Sequence, residues 1–192
     1  MDTSDTSTSQ LAAPPRRLNL QEFAQRGRAL HGSIVVAELP RLATSLHATE
    51  AQLRELQVRW SLRGELREQP GGAAQPVVRL RVRAELPMTC QRCLQASTQS
   101  IDDEAVLRLV DEEPELDPEE IESDEEAYCA RHPVDVAELI EDQLILALPL
   151  VPMHASCPQP LPGGGEAPSA PEKASPFAVL AGLRGKPEPP AS

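Results

Sequence analysis

Residues 77–86 read VVRLRVRAEL: Val78, Leu80, Val82, Ala84 and Leu86 alternate with Arg79, Arg81, Arg83 and Glu85. Side chains on a strand point alternately to its two faces, so this pattern predicts a strand with one buried and one charged side. The same alternation runs through 56–66, LQVRWSLRGEL, where Leu56, Val58, Trp60 and Leu62 interleave with Gln57, Arg59, Ser61 and Arg63. REQPGGAAQP between them is turn chemistry, which makes the two strands neighbours. A third strand is expected around 104–110, EAVLRLV. One apolar and one polar face fit an antiparallel sheet with a single covered side.

The cover is expected from helices. Residues 135–148 carry Val136, Leu139, Ile140, Gln143, Leu144, Ala147 and Leu148 on one helical face. Asp135 and Glu138 are placed as a capping box, and Pro149 as the stop. Ile145 and Leu146 make the last turns apolar nearly all round, which predicts a deeply buried end. Shorter helices are expected within 18–30, ended by Gly27, and within 38–46. The fold class is therefore α+β: an antiparallel sheet with a long C-terminal helix on its apolar face.

Domain organisation follows from composition. Residues 1–13 are small and polar, and 158–192 contain nine prolines. Neither stretch can bury enough apolar surface to offset the entropy of ordering, so both are expected to be disordered around one domain at 14–157. Within the second stretch, SPFAVLAGLR at 175–184 has the pattern of a short amphipathic helix. It suits either folding back or docking on a partner through Phe177, Leu180 and Leu183.

The net charge of −12 is concentrated. Residues 102–126 hold fourteen acids and one arginine, leaving sixteen acids against seventeen Lys and Arg elsewhere. A near-neutral body with an acidic loop at 111–126 keeps nucleic acid among its candidate partners. With only Phe23, Trp60, Tyr128 and Phe177 as aromatics, base stacking on an aromatic platform is disfavoured. Arg59, Arg63, Arg79, Arg81 and Arg83 should instead share the outer sheet face, where guanidinium forks suit phosphate. Pairing with nearby carboxylates is the competing use for them.

The cysteines offer metal chemistry. Cys90 and Cys93 are two residues apart after a strand, and the chain adds Cys129-x-x-His132 and His154-x-x-Cys157. A structural zinc takes four ligands, usually as two short-spaced pairs. Cys90, Cys93, His154 and Cys157 are the favoured set, with Cys129 and His132 as substitutes and small buried thiols as the plain alternative. A thioredoxin-like couple needs a helix N-terminus after the first cysteine, and the flanks here are strand-like. Motifs for nucleotide, serine-hydrolase and zinc-protease chemistry are missing, so no catalytic residue is assigned and an enzyme is not expected. No signal peptide or membrane span is read, which places reduced thiols in the cytoplasm.

The order of CQRCL, a long acidic interval, VDVAELIEDQLILALPLVPMH and PFAVLAGLR resembles the YceD family across roughly 18–184. The resemblance implies a cytoplasmic, non-catalytic ribosome biogenesis factor for synthesis, processing or stability of 23S rRNA in the large subunit. It implies as partners 23S rRNA or its precursor, or a large-subunit ribosomal protein. It gives weight to Cys90, Cys93, Glu141, Asp142, Pro149, Pro152, His154 and Cys157, and none to Cys129 or His132. The rival readings are an adaptor whose acidic belt binds a basic ribosomal protein, and a thiol oxidoreductase using Cys90 and Cys93.

Overall fold

In the computed structural model, residues 13–69, 72–112 and 125–158 are described. The chain divides into Met1–Ser156 and Cys157–Ser192, and of the second unit only Cys157 and Pro158 are described. The segment 175–184, with Phe177, Leu180 and Leu183, lies outside the described residues.

Five strands form one sheet in sequential order: β1 (Ala29–Val35), β2 (Gln57–Arg67), β3 (Gln75–Thr89), β4 (Ala96–Val110) and β5 (Glu126–Cys129). The two alternating segments pair antiparallel, with Trp60 opposite Val82 and Leu62 opposite Leu80. Val58, Trp60, Leu62, Val78, Leu80, Val82, Ala84 and Leu86 are buried on one side. Each of the larger apolar side chains contributes roughly 1.5–3 kcal/mol by leaving water.

Three expectations need correction. The sheet is not wholly antiparallel: β5 runs parallel to β4, with Leu107 opposite Glu126 and Val110 opposite Cys129. Glu126, assigned to the acidic loop, thus opens a strand. The third strand begins at Ala96 rather than near 104, because β4 places Ser97, Gln99 and Asp103 in its inward row, where they hide the alternation. No element was expected between Gly27 and residue 38, where the chain forms β1, antiparallel to β2.

Helices α1 (Leu20–Gln25), α2 (Pro40–Thr44), α3 (Glu50–Glu55) and α4 (Val136–Ala147) complete the fold. The Asn19 side chain accepts from the Glu22 amide at 3.0 Å to start α1, and Gly27 ends it with φ +59°, a conformation that favours glycine. Leu20, Phe23 and Ala24 pack on β2 and β3. The approach is close: a Cβ on Gly64 would stand 2.6 Å from the Ala24 Cα.

The last helix is not long. It has 12 residues, about three turns, and stops because Pro149 drives Leu148 to ψ 137°. Asp135 caps it by accepting from the Ala137 amide at 2.8 Å. The expected return bond from Glu138 does not form, and Asp135 also meets Arg16 at 3.3 Å. Val136, Ala137, Ile140 and Leu144 are buried. Its end is not buried all round: Leu146 is 74 % exposed and Leu150 fully so. The helix contacts β3, β4 and α2, so only one stripe of it is covered.

Candidate functional site

The β3–β4 hairpin closes with six residues, 90–95. The Leu94 amide donates to the Cys90 carbonyl and the Cys90 amide to the Gln95 carbonyl, both at 2.8 Å. Leu94 takes φ +60°, the left-handed turn that curls the chain back around Cys90. The segment after α4 returns to this tip: the Gln91 amide donates to Pro152 O at 2.9 Å and Arg92 Nη2 to His154 O at 2.8 Å. The hairpin therefore carries Cys90 and Cys93 and holds the backbone that carries His154.

The ligand atoms of Cys90, Cys93, His154 and Cys157 all lie within 4.8 Å of one another. Tetrahedral bonds of about 2.3 Å to sulfur and 2.0–2.1 Å to nitrogen place ligand atoms roughly 3.5–3.8 Å apart, so a small contraction suffices to close the shell. His154 Nε2 lies 2.9 Å from the Ala96 carbonyl, which can only accept, so Nε2 carries the proton. That leaves the Nδ1 lone pair facing Cys93 Sγ at 3.4 Å. A carbonyl fixing the far nitrogen of an imidazole is how metal-binding histidines are usually oriented.

Cys90 is fully buried, and burial pushes its thiol pKa up. Backbone donors from His154, Cys93 and Arg92 outweigh that and lower it to about 5. The His154 amide lies 3.4 Å from the sulfur. A buried thiolate held by amides, two further thiols and an oriented imidazole fit a divalent, thiophilic ion such as zinc. Four protein ligands leave no open position for chemistry.

The substitute pair is not brought to this group: Cys129 is exposed on β5, with Sγ 3.7 Å from Asp111 O, and His132 is exposed beyond it. Cys90 and Cys93 lie on a hairpin turn rather than a helix N-terminus.

The five arginines do share the outer face. Register sets Arg59 opposite Arg83, Ser61 opposite Arg81 and Arg63 opposite Arg79. Those on β3 meet carboxylates: Arg79 lies 3.2 Å from Glu65 and 3.5 Å from Glu104, and Arg81 grips Asp102 through two bonds of 2.8 and 3.0 Å. Arg83 reaches the same Asp102 at 3.1 Å. Arg81 and then Arg83 lower the Asp102 carboxyl to about 2. Arg59 and Arg63 have no ion pair or side-chain hydrogen bond among the described residues. Pairing with nearby carboxylates, the competing use expected for these arginines, is met on β3 by Asp102 and Glu104, which alternate along the neighbouring β4.

Glu141 and Asp142 hold the helical layer together. Glu141, 3 % exposed, accepts from the Arg41 and Leu42 amides at 2.7 and 3.1 Å and from Arg41 Nε at 2.9 Å. Asp142 meets Arg41 Nη1 at 2.6 Å. The buried carboxylate thus satisfies the unpaired amides that open α2 and ties α2 to α4.

Residues 78–184 match the family described as large ribosomal RNA subunit accumulation protein YceD. The match covers more than half of the chain, and the chain belongs to the YceD family. It is 35 % identical over 121 residues to the large ribosomal RNA subunit accumulation protein YceD of Haemophilus influenzae. That alignment takes in 57 % of this chain and 66 % of the relative, a little under two thirds of its length. No solved structure matches. Among the described residues, no helix is long and apolar enough to cross a membrane.

Proposed function

We propose that the protein is a non-catalytic factor of the cytoplasm that supports synthesis, processing or stability of 23S rRNA as the large ribosomal subunit forms. Membership of a family described as large ribosomal RNA subunit accumulation proteins carries this reading. The arginine face of β2 and β3 supplies the contact, because guanidinium groups recognise phosphate without needing base stacking. Arg59 and Arg63, without carboxylate partners among the described residues, are available to an incoming anion. Arg79, Arg81 and Arg83 extend the same surface and become more cationic if their carboxylates are displaced.

The Cys90, Cys93, His154 and Cys157 group serves as a structural zinc site in this reading. When bound, the metal neutralises thiolate charge and cross-links the hairpin tip to the segment after α4. The chain's own part is to orient His154 through Ala96 and to donate amides to Cys90.

Depleting the protein and resolving ribosomal particles on sucrose gradients, with crosslinking and sequencing of bound RNA, tests the function. Loss of large subunits together with enriched 23S crosslinks is expected. Normal subunits and no enriched RNA would overturn it.

A further inference from the structure

The outer face places like charges directly opposite each other, Arg59 against Arg83 and Arg63 against Arg79. Such cross-strand pairs are destabilising unless an anion lies between or beside them. Arg83 has Asp102 at 3.1 Å, and Arg79 has Glu65 and Glu104. Arg59 has no such partner among the described residues, yet it borders two hollows.

The smaller hollow, about 140 Å³, is walled by Arg59, Ser61, Arg81 and Arg83, with Trp60 beneath. It is of the order of one tetrahedral oxyanion with its water. The larger, about 460 Å³, lies on the other side of Arg59 and Arg83 and includes Ser100, Asp102 and Glu85. Asp102 holds Arg81 and Arg83 from the β4 side, so two forks are fixed before any ligand arrives. Glu104 is the other nearby carboxylate, 4.0 Å from Arg81 and shared with Arg79. Three guanidiniums therefore face the smaller hollow with one carboxylate in close contact.

We propose that this hollow is a site for a single phosphate group, in which Arg59 is the unspent cation, Ser61 donates its hydroxyl, and Arg81 and Arg83 are positioned by Asp102. The assignment rests on the RNA reading above, and it names the internal phosphodiester of an RNA strand as the group bound. A terminal phosphate monoester offers the same oxygens, and the test separates the two. Asp102 is at once the positioning group and the internal competitor. Removing its charge without its shape should strengthen binding.

The full chain is titrated with inorganic phosphate while the arginine Nε–H resonances are followed. In parallel, fluorescence anisotropy follows an RNA of about a dozen nucleotides carrying a 5′-hydroxyl or a 5′-phosphate. Phosphate should shift the Arg59, Arg81 and Arg83 signals. Arg59→Ala should weaken both ligands about tenfold, as expected for one charge-assisted contact. Asp102→Asn should tighten both severalfold, and Arg54→Ala, on α3, should change neither. Ser61→Ala should weaken inorganic phosphate with an unchanged thermal melt.

RNA that binds undiminished to Arg59→Ala and Ser61→Ala, with unshifted guanidinium signals, would overturn the hollow and leave the RNA reading standing. Phosphate binding at the hollow with no RNA affinity would overturn the RNA reading and leave the hollow. A tenfold preference for the 5′-phosphorylated strand would overturn assignment to the internal backbone.

Discussion

The tip of the β3–β4 hairpin and the outer face of the same strands treat charge in opposite ways. At the tip, Cys90 is fully buried, backbone amides point at its sulfur, and His154 is locked by Ala96. On the face, the arginines are partly or largely exposed, share carboxylates, and leave Arg59 and Arg63 without partners among the described residues. A site whose polar atoms are all satisfied inwardly holds structure. One whose charges are incompletely matched, in water, retains something to offer a ligand.

The comparison is broken most severely at the tip. The purified protein is expected to carry about one zinc, detected by native mass spectrometry. Cys90→Ser should lose the metal and lower the Tm by roughly 10 °C, since metal binding is coupled to folding. An unchanged melt with no metal in the parent would reduce the cluster to buried thiols.

Next come two changes in the packing that supports both regions. Gly64→Ala forces a methyl against the α1 backbone and should cost about 2–3 kcal/mol in urea unfolding. Glu141→Ala strips the α2 amides of their acceptor and should cost about 2 kcal/mol, with Glu141→Gln recovering part of it. Equal loss for both Glu141 variants would show that charge, not amide capping, is what matters there.

The face should respond mainly in binding, with only small effects on stability. Arg59→Ala with Arg63→Ala should reduce the slope of log affinity against log salt by about 0.7 per arginine on single-stranded RNA, with Tm essentially unchanged. The smallest effect is in pH. The Asp102 carboxyl falls from its ordinary value near 3.8 to about 2, so its pairing stabilises fully above pH 4 and is lost as pH falls through 2. The melting difference between parent and Asp102→Asn should therefore shrink over that interval. A difference that persists at pH 2 would mean another group carries it.

These regions were not equally visible in the sequence. β2 and β3 announce themselves because polar or charged side chains, among them Arg59, Arg63, Arg79, Arg81 and Arg83, hold most outward positions and an aliphatic side chain nearly every inward one. The cysteine pairs were legible by spacing, but only the returning chain brings His154 beside Cys90 and Cys93 while Cys129 stays on β5. β1 was hidden: ALHGSIV places Gly32 in the inward row, opposite Trp60. The first half of β4 was hidden by Ser97, Gln99 and Asp103, polar residues that face inward. Gln143 on α4 donates to Asp103, a partner that local sequence cannot show. β5 has four residues, too few for a period, and its parallel pairing depends on a neighbour across the acidic interval.

That parallel pairing has a practical corollary. The strands on either side of the interval are fixed by ladder bonds, and its margins are fastened by Arg67 to Glu125 and by Arg131 to the Asp111 carbonyl. The cost of closing a loop grows only logarithmically with length, about 0.6 kcal/mol per doubling. An affinity tag or photocrosslinker inserted between residues 113 and 124 should therefore leave the sheet register intact.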